Sequence, residues 1–256
     1  MGELAFVGLG LGDERGISER ARDALAGCDR VFAEEYTAVA PAGTLERLSA
    51  AIGRPIERLS RAEVEAETPV LAALSSVPRV ALLVVGDPFA ATTHVALRLA
   101  AERAGHDWRY YPNASILTAA AGFLGLMGYR FGRTVSLPLP SPGFAPTSPL
   151  EQVAGNRDRG LHTLLLLDLD PAGGRFLTAD AALSLLRDRD PTERWVHGAD
   201  RAAVAARVGR DDAAGFFGTV DRLRSIDFGA PLHALVLLAP DLHFEEEAAL
   251  ARFRVP

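Results

Sequence analysis

The sequence predicts an α/β fold with largely parallel sheets. Short apolar runs alternate with helix-like segments along the 256 residues, and several of the runs end in glycine-rich or polar loops. In residues 79–94, the apolar run 80–85 ends in Gly86-Asp87-Pro88, and Thr92-Thr93-His94 then leads into a helical segment. Open α/β sheets bind ligands at the carboxyl ends of their strands, so this stretch is the first candidate site. An ordinary strand-to-helix connection, with Thr92–His94 capping the helix, is the alternative.

Composition excludes several classes of function. The formal net charge of −6 disfavours a nucleic acid or an anionic membrane as the partner. No apolar run approaches the about 18 residues of a membrane span, and Cys28 is the single cysteine, so we expect a cytoplasmic protein without disulfides. All 27 basic residues are arginine, which excludes the lysine of a Walker-type phosphate loop and Schiff-base chemistry.

The first third of the chain predicts strands that end in loops. An apolar run at residues 4–7 enters the glycine loop 8–12, and Ser18 caps a predicted helix over 19–26 that Gly27 closes. The glycine spacing is G-x-G-x-G, so the G-x-G-x-x-G fingerprint of dinucleotide-binding folds is not met. A second strand, 30–33, ends in Glu34 and Glu35, which are either site carboxylates or a solvated loop.

Further elements follow from periodicity and from caps. Helices are predicted over 44–52 and 117–127, a capping box at Ser60 and Glu63, and a strand over 108–111. Five prolines make 137–150 an ordered loop or linker that is neither helix nor central strand. Beyond it come a helix to 159, a buried strand 161–167 ending at Asp168, a helix 178–187, a strand 234–239 and a helix from Phe244. Residues 201–207 favour helix by propensity alone.

The visible chemistry points to binding of a small molecule. No G-x-S-x-G nucleophile motif is present, and the six histidines do not fall at metal-ligand spacings, so no metal site is predicted. His94 and His162 are best interpreted as hydrogen-bonded core residues, while a core role and a site role are equally compatible with His233. The candidate site is therefore the set of strand-end loops 8–15, 34–37, 86–94 and 113–116.

These loops carry a family resemblance. The blocks are Phe6-Val-Gly-Leu-Gly-Leu with Asp13-Glu-Arg, Phe32-Ala-Glu with Tyr36-Thr37, Gly86-Asp-Pro with Ala91-Thr-Thr-His, Ser115-Ile116, Gly125-Leu126 with Tyr129-Arg-Phe-Gly, Gly160-Leu-His-Thr, Asp227-Phe-Gly and Leu242-His243. Through the combination and order of these blocks, the sequence resembles the diphthine synthase family. The resemblance implies a methyltransferase that uses S-adenosyl-L-methionine and has the tetrapyrrole-methylase fold. That fold has two α/β/α domains with a cofactor cleft between them, here residues 1–110 and 111–256.

The resemblance also implies a substrate and an assembly. The expected protein substrate is translation elongation factor 2, which carries a histidine with a 3-amino-3-carboxypropyl arm. The amino group of that arm would be methylated, and the enzyme would be a homodimer. No catalytic side chain is implied, because an in-line methyl transfer depends mainly on alignment and exclusion of water.

Site residues are transferred from the family one by one. The implied cofactor contacts are Leu11, Asp87, Ala90, Ser115, Ile116, Leu167, Val208 and His233. Acceptor binding is assigned from charge and not from the family. Glu34, Glu35 and Asp87 suit a cationic amine, and Arg15 or Arg133 suits the carboxylate of the arm. Gly12, Gly128 and residues 201–209 depart from the family pattern; the resemblance nonetheless favours a strand over 202–206, against local propensity.

Two alternatives remain open from the sequence. A tetrapyrrole methyltransferase, of the precorrin or uroporphyrinogen type, would share the fold and the cofactor but would bind a flat polycarboxylate macrocycle. A non-catalytic, cofactor-binding paralogue is supported only by the divergent segment 201–209.

Overall fold

The computed structural model describes residues 2–256, and the chain divides into two compact units, Met1–Ser115 and Ile116–Pro256. The first unit contains a five-stranded sheet, and its strands are β1 (Glu3–Gly8), β2 (Arg30–Glu34), β3 (Ile56–Leu59), β4 (Arg79–Val84) and β5 (Asp107–Tyr111). Its helices are α1 (Glu19–Ala26), α2 (Thr44–Ile52), α3 (Arg61–Glu65), α4 (Thr68–Ser76) and α5 (Val95–Arg103), with a 3₁₀ turn at Glu14–Gly16.

The sheet of the first unit is parallel throughout, in the order β3-β2-β4-β1-β5. Successive side chains of β1 enter opposite faces: Val7 packs with Leu25 of α1, whereas Phe6 packs with Leu97 of α5. Helices therefore cover both faces of the sheet, which gives this unit three layers. The prediction of an α/β fold is confirmed here, and the near-continuous apolar strands are those expected of a buried parallel sheet.

The second unit contains another five-stranded sheet and a short ribbon. Its strands are β6 (Val135–Leu137), β7 (Thr163–Leu167), β8 (Leu169–Asp170), β9 (Arg175–Phe176), β10 (Arg201–Ala206), β11 (Ala214–Thr219) and β12 (His233–Leu237). Its helices are α6 (Ile116–Leu124), α7 (Ser148–Arg157), α8 (Ala179–Arg189), α9 (Val220–Leu223) and α10 (Phe244–Ala251), with a 3₁₀ turn at Gly128–Arg130. β8 and β9 form the two-stranded ribbon.

The strand directions of the second sheet correct the sequence prediction. In the order β11-β10-β12-β7-β6, only β6 and β7 run parallel, and the other three pairs are antiparallel. The expectation of largely parallel sheets is therefore wrong for this unit. One reason is that β10 and β11 form a hairpin, and a short connection can join only antiparallel strands. The hairpin was not predicted, because the residues of β11 show no clear apolar periodicity in the sequence.

Helices also cover both faces of the second sheet. Leu165 of β7 and Val204 of β10 pack with Leu183 of α8 on one face, and Leu164 and Val236 pack with α6 and α10 on the other. Residues 202–206 lie in β10 and are fully or almost fully buried. Burial among these neighbours overrides their helical propensity, so the strand that the resemblance favoured is confirmed.

Several helix boundaries follow from single residues. Ser18 caps α1 through its side chain, and the Ser60–Glu63 capping box is present at α3, as predicted. Two predicted boundaries are wrong. The helix expected over 117–127 ends at Leu124, because Gly125 has a φ of 75° and lies against Ala249 of α10. Pro149 lies inside the first turn of α7, where a missing N–H costs nothing, so the proline-rich loop is shorter than predicted.

Candidate functional site

The carboxyl ends of β1 and β4 form the topological switch point of the first sheet. From β1 the chain crosses to β2 through α1 on one face, and from β4 it crosses to β5 through α5 on the other face. Connections that leave neighbouring strands in opposite directions open a crevice where doubly wound sheets bind ligands. The glycine loop 8–12 and the loop 86–90 both lie at this point.

Backbone hydrogen bonds join these two loops. The N–H of Gly10 donates to the carbonyl of Gly86 (3.1 Å), and the N–H of Gly86 donates to the carbonyl of Gly10 (2.8 Å). The Asn113 amide holds the two ends of the segment after β1, since its Nδ2 donates to the carbonyls of Gly8 (2.9 Å) and Gly16 (3.1 Å). A Cβ on Gly8 would lie 2.7 Å from the Cβ of Asn113 and from the Gly86 oxygen, so only glycine fits there.

Asp87 anchors the second loop. The residue is 8% exposed, and its carboxylate accepts hydrogen bonds from the Phe89 N–H (3.0 Å), the Tyr110 hydroxyl (2.6 Å) and the Asn113 N–H (3.1 Å). Burial and the bond to Asp87 raise the pKa of Tyr110 to about 12, so that hydroxyl remains a donor. The Asp87 carboxylate therefore links the end of β4 to the end of β5. Tyr110 and Asn113 were not singled out from the sequence as partners of Asp87.

Glu34 is a buried residue and not part of a solvated loop. It is 1% exposed and accepts hydrogen bonds from the N–H groups of Tyr36 (2.9 Å) and Thr37 (3.1 Å) and from the Thr37 hydroxyl. The imidazole Nε2 of His94 lies 3.8 Å from its Oε1. The solvated-loop interpretation is therefore wrong for Glu34, because this carboxylate organises the turn after β2.

The Thr92–His94 segment folds back on Pro88 and does not cap α5. The Thr92 hydroxyl donates to the Pro88 carbonyl (2.5 Å), and the Nδ1 of His94 lies 2.8 Å from the same oxygen. No side chain caps α5, so the capping alternative is wrong. His94 is 1% exposed, in agreement with its interpretation as a hydrogen-bonded core histidine.

The other acceptor candidates of the first unit lie nearer the surface. Glu35 pairs with Arg58 (2.9 Å). Arg15 pairs with Asp13 (2.9 Å), and 71% of its side chain is exposed. Among the cofactor candidates, Leu11 and Ala90 are half-buried, and Ser115 ends the unit.

In the second unit, strand pairing brings three cofactor candidates to one edge of the sheet. Leu167 ends β7 and His233 begins the antiparallel β12, while Val208 lies just beyond the end of β10, whose Ala206 pairs with His233. Ile116, at the start of α6, packs on the same apolar cluster as Val208. Arg133 is exposed, and its backbone exchanges hydrogen bonds with the Asn156 amide.

The ring of His233 is held within the protein. Its Nδ1 accepts from the Ala179 N–H (3.2 Å), so Nε2 carries the hydrogen and donates to the Ala230 carbonyl (3.1 Å). Burial lowers the pKa of His233, which keeps the ring neutral. Both ring nitrogens are therefore occupied, and the groups left for a ligand are the backbone and the ring faces.

Arg207 fixes the segment that carries Val208. It has a φ of 52°, and its guanidinium donates to the carbonyls of Phe228 (3.0 Å) and Ala230 (2.5 Å) and pairs with Asp212 (2.7 Å). Arg207 was not among the site residues predicted from the sequence. The Asp227-Phe-Gly block could have indicated a fixed turn, but nothing local identifies its partner 23 residues away.

Comparisons with known proteins agree with this architecture. The family model described as tetrapyrrole (corrin/porphyrin) methylases matches residues 3–224. The chain belongs to this methylase family. It is 39% identical over 246 residues to the diphthine synthase of Methanothermobacter thermautotrophicus, covering 95% of this chain and 92% of the relative. It is also 39% identical over 269 residues to the diphthine methyl ester synthase of Emericella nidulans, covering 98% and 94%.

A solved structure also resembles this methylase over nearly its whole length. A crystal structure of diphthine synthase has a TM-score of 0.88 and 35% sequence identity, covering 98% of this chain and 96% of the other. The family and these relatives show that the chain is a methyltransferase, and the resemblance seen in the sequence is confirmed. Among residues 2–256, no helix has the length and apolar character needed to cross a membrane.

Proposed function

We propose that this methyltransferase uses S-adenosyl-L-methionine to methylate the amino group of the 3-amino-3-carboxypropyl-histidine of translation elongation factor 2. The observation that carries the proposal is the likeness, over nearly the whole chain, to relatives named for diphthine synthesis. Assignment to a tetrapyrrole substrate rests on the family description alone.

The residues at the switch point suit the proposed cofactor. A Cβ built on Gly86, which has a φ of 81°, meets nothing nearer than the Ala114 oxygen and the Leu11 side chain, both at 3.9 Å. An open backbone face beside an apolar side chain can accept a nucleoside and its polar substituents. We assign cofactor contacts to Leu11, Asp87, Ala90 and Ser115 in the first unit and to Ile116, Leu167, Val208 and His233 in the second.

Their roles follow from their environments. Because three donors occupy the Asp87 carboxylate, Asp87 shapes the loop, and Ala90 offers backbone groups and a small side chain. When bound, the cofactor would supply a methyl group on a sulfonium sulfur; an amine nitrogen can attack that methyl carbon, and the sulfur leaves as a neutral thioether. The protein has to align donor and acceptor and exclude water, and such alignment alone can supply much of the rate.

Acceptor binding is assigned to surface groups. Arg15 and Arg133 can each hold the carboxylate of the arm, and Glu35 can attract its cationic amine. Glu34 is assigned an indirect role, because its carboxylate oxygens already accept hydrogen bonds from the turn after β2. The enzyme is proposed to act as a homodimer in the cytoplasm. Light scattering at a known protein concentration would test the dimer.

Transfer of a labelled methyl group tests the proposal. The chain is incubated with methyl-labelled S-adenosyl-L-methionine and either elongation factor 2 bearing the unmethylated arm or a uroporphyrinogen. Label on the factor is the expected result. Label only on the macrocycle would select the tetrapyrrole alternative. Absence of any binding heat or thermal stabilisation with the cofactor would exclude the cofactor itself.

A further inference from the structure

Three titratable side chains meet behind the candidate site of the first unit. Glu34 is the last residue of β2, Tyr36 lies in the turn after it, and His94 precedes α5. The Tyr36 hydroxyl lies 3.4 Å from the Nε2 of His94, which is in turn 3.8 Å from the Oε1 of Glu34. Glu34 and His94 have no exposed side-chain surface, whereas Tyr36 is half-buried, so Tyr36 is the member of the trio that a ligand can reach.

Hydrogen bonding sets the tautomer of His94. The Pro88 carbonyl can only accept, so the Nδ1 at 2.8 Å carries the hydrogen. In the neutral ring Nε2 is then the bare nitrogen, and it faces the Tyr36 hydroxyl. The separation of 3.4 Å is long for a hydrogen bond, as catalytic contacts often are before substrate binds.

The proposed reaction creates a need for a proton acceptor. The nitrogen lone pair forms a C–N bond to the methyl group while the C–S bond breaks and its electron pair goes to sulfur. Each transfer leaves the nitrogen as an ammonium, which must lose a proton before that nitrogen can attack again. A general base that can accept this proton at neutral pH is therefore useful before every transfer, and histidine is the side chain that enzymes most often use for this purpose.

We propose that Tyr36 and His94 form a proton relay that deprotonates the acceptor amine, with Glu34 stabilising the imidazolium that results. Tyr36 takes a proton from the ammonium as its own hydroxyl proton passes to the Nε2 of His94. After the methyl transfer, the imidazolium returns its proton to the Tyr36 oxygen while the Tyr36 hydroxyl proton passes to water. The proposal rests on the proposed amine methylation. Tyr36 is the catalytic residue of this relay, and His94 and Glu34 act through it.

The surroundings of Tyr36 favour a relay over a free phenolate. Burial first, and then the Glu34 and Glu65 carboxylates, raise the pKa of Tyr36 to about 12, although Arg61 and Thr93 act in the opposite direction. The guanidinium of Arg61 lies 5.9 Å from the centre of the Tyr36 ring. At neutral pH the phenol is therefore protonated, and it can accept a proton only by passing its own proton to His94.

The test uses Tyr36→Phe, which keeps the ring and removes the hydroxyl, with Tyr129→Phe as the matched control. Tyr129 is 81% exposed and belongs to the second unit. For Tyr36→Phe we expect the rate of methyl transfer to fall on the order of 10²-fold at neutral pH and to approach that of the unaltered enzyme as the pH rises, since the amine then deprotonates in water. Calorimetry should show unchanged cofactor affinity for both variants.

Nitrogen-15 NMR of the labelled histidines provides a readout that does not depend on turnover. We expect His94 to have its hydrogen on Nδ1, and the shift of its Nε2 to change in Tyr36→Phe but not in Tyr129→Phe. A hydrogen on Nε2, or a Tyr36→Phe rate deficit that is absent or equal at every pH, overturns the relay. If the unaltered enzyme binds cofactor but never methylates the factor, the proposed function fails, whatever the NMR spectra show.

Discussion

Asp87 shows what a single residue contributes to this site. Its place after a buried strand was evident from the sequence, because Gly86-Asp87-Pro88 interrupts the apolar run. The hydrogen-bond donors to its carboxylate were not evident from the sequence, since Tyr110 and the Asn113 N–H lie 23 and 26 residues further along the chain. Position at a strand end follows from local pattern, whereas the hydrogen bonds of a side chain depend on which strands become neighbours.

Replacement of Asp87 by Asn tests this anchor. The amide keeps one acceptor oxygen but turns an NH₂ group toward a donor, which leaves the part-buried N–H of either Phe89 or Asn113 without its partner. We expect a loss of about 1–3 kcal/mol in the free energy of unfolding and weaker cofactor binding, measured by thermal denaturation and calorimetry. Asp107→Asn, at an exposed position in β5, is the control, and equal stability of the two variants would contradict the anchoring role.

Elements with local causes were predictable, and those with distant causes were not. Ser18 and Gly27 delimit α1 as predicted, because caps act within one turn. Strand β10 contradicts its alanine-rich propensity, because burial between β11 and β12 decides its conformation. The antiparallel direction of most of the second sheet could not be predicted, since the sequence does not mark β11 as a strand.

The bridge between the loops after β1 and β4 is tested with Gly8→Ala. The added methyl group would lie 2.7 Å from two atoms of the neighbouring loops, so strands or loops must move apart. We expect destabilisation of about 1–3 kcal/mol by thermal denaturation, the usual cost of overpacking. Gly16→Ala is the control, because its added carbon meets nothing nearer than 3.5 Å. A Gly8→Ala protein as stable as Gly16→Ala would show that the close approach carries no strain.

At the scale of the whole molecule, buried charges join segments that are far apart in the chain. Glu246 of α10 is fully buried and accepts from Nε2 of His162 (3.1 Å), from the Met127 N–H (3.0 Å) and from Arg130, which lies 116 positions away. Three of the sequence blocks, around Tyr129, His162 and His243, thus converge on one carboxylate. Glu246 was not among the residues predicted from the sequence, because a glutamate in the acidic first turn of a helix usually lies in solvent.

This network predicts the acid sensitivity of the protein. Burial alone would raise the pKa of Glu246, but the hydrogen bonds from Met127, His243 and His162 lower it below its ordinary 4.5. Burial lowers the pKa of His162 below 6.5, despite the opposing effect of Glu246. In both cases the unfolded chain binds protons more readily than the native state. Stability should therefore fall as the pH falls below about 6.5, and further below about 4.5.

Glu246→Gln should cost on the order of 3 kcal/mol at neutral pH, because it leaves the Arg130 guanidinium without its buried partner. It should also flatten the fall in stability below pH 4.5, the ordinary value for this carboxyl. Denaturant unfolding across a pH series measures both effects. The control is Glu247→Gln on the same helix, whose side chain is 57% exposed and pairs with Arg201. If the two variants show the same pH dependence, Glu246 does not set acid sensitivity.

The two relatives at equal identity are named for different products, diphthine and its methyl ester. The most direct measurement is therefore the mass of the histidine-bearing peptide of elongation factor 2 after exhaustive reaction, before and after mild alkaline treatment. We expect the mass to increase by one or more methyl groups, all of them on nitrogen and therefore resistant to alkali. A methyl group that alkali removes, or a peptide of unchanged mass, would contradict this expectation.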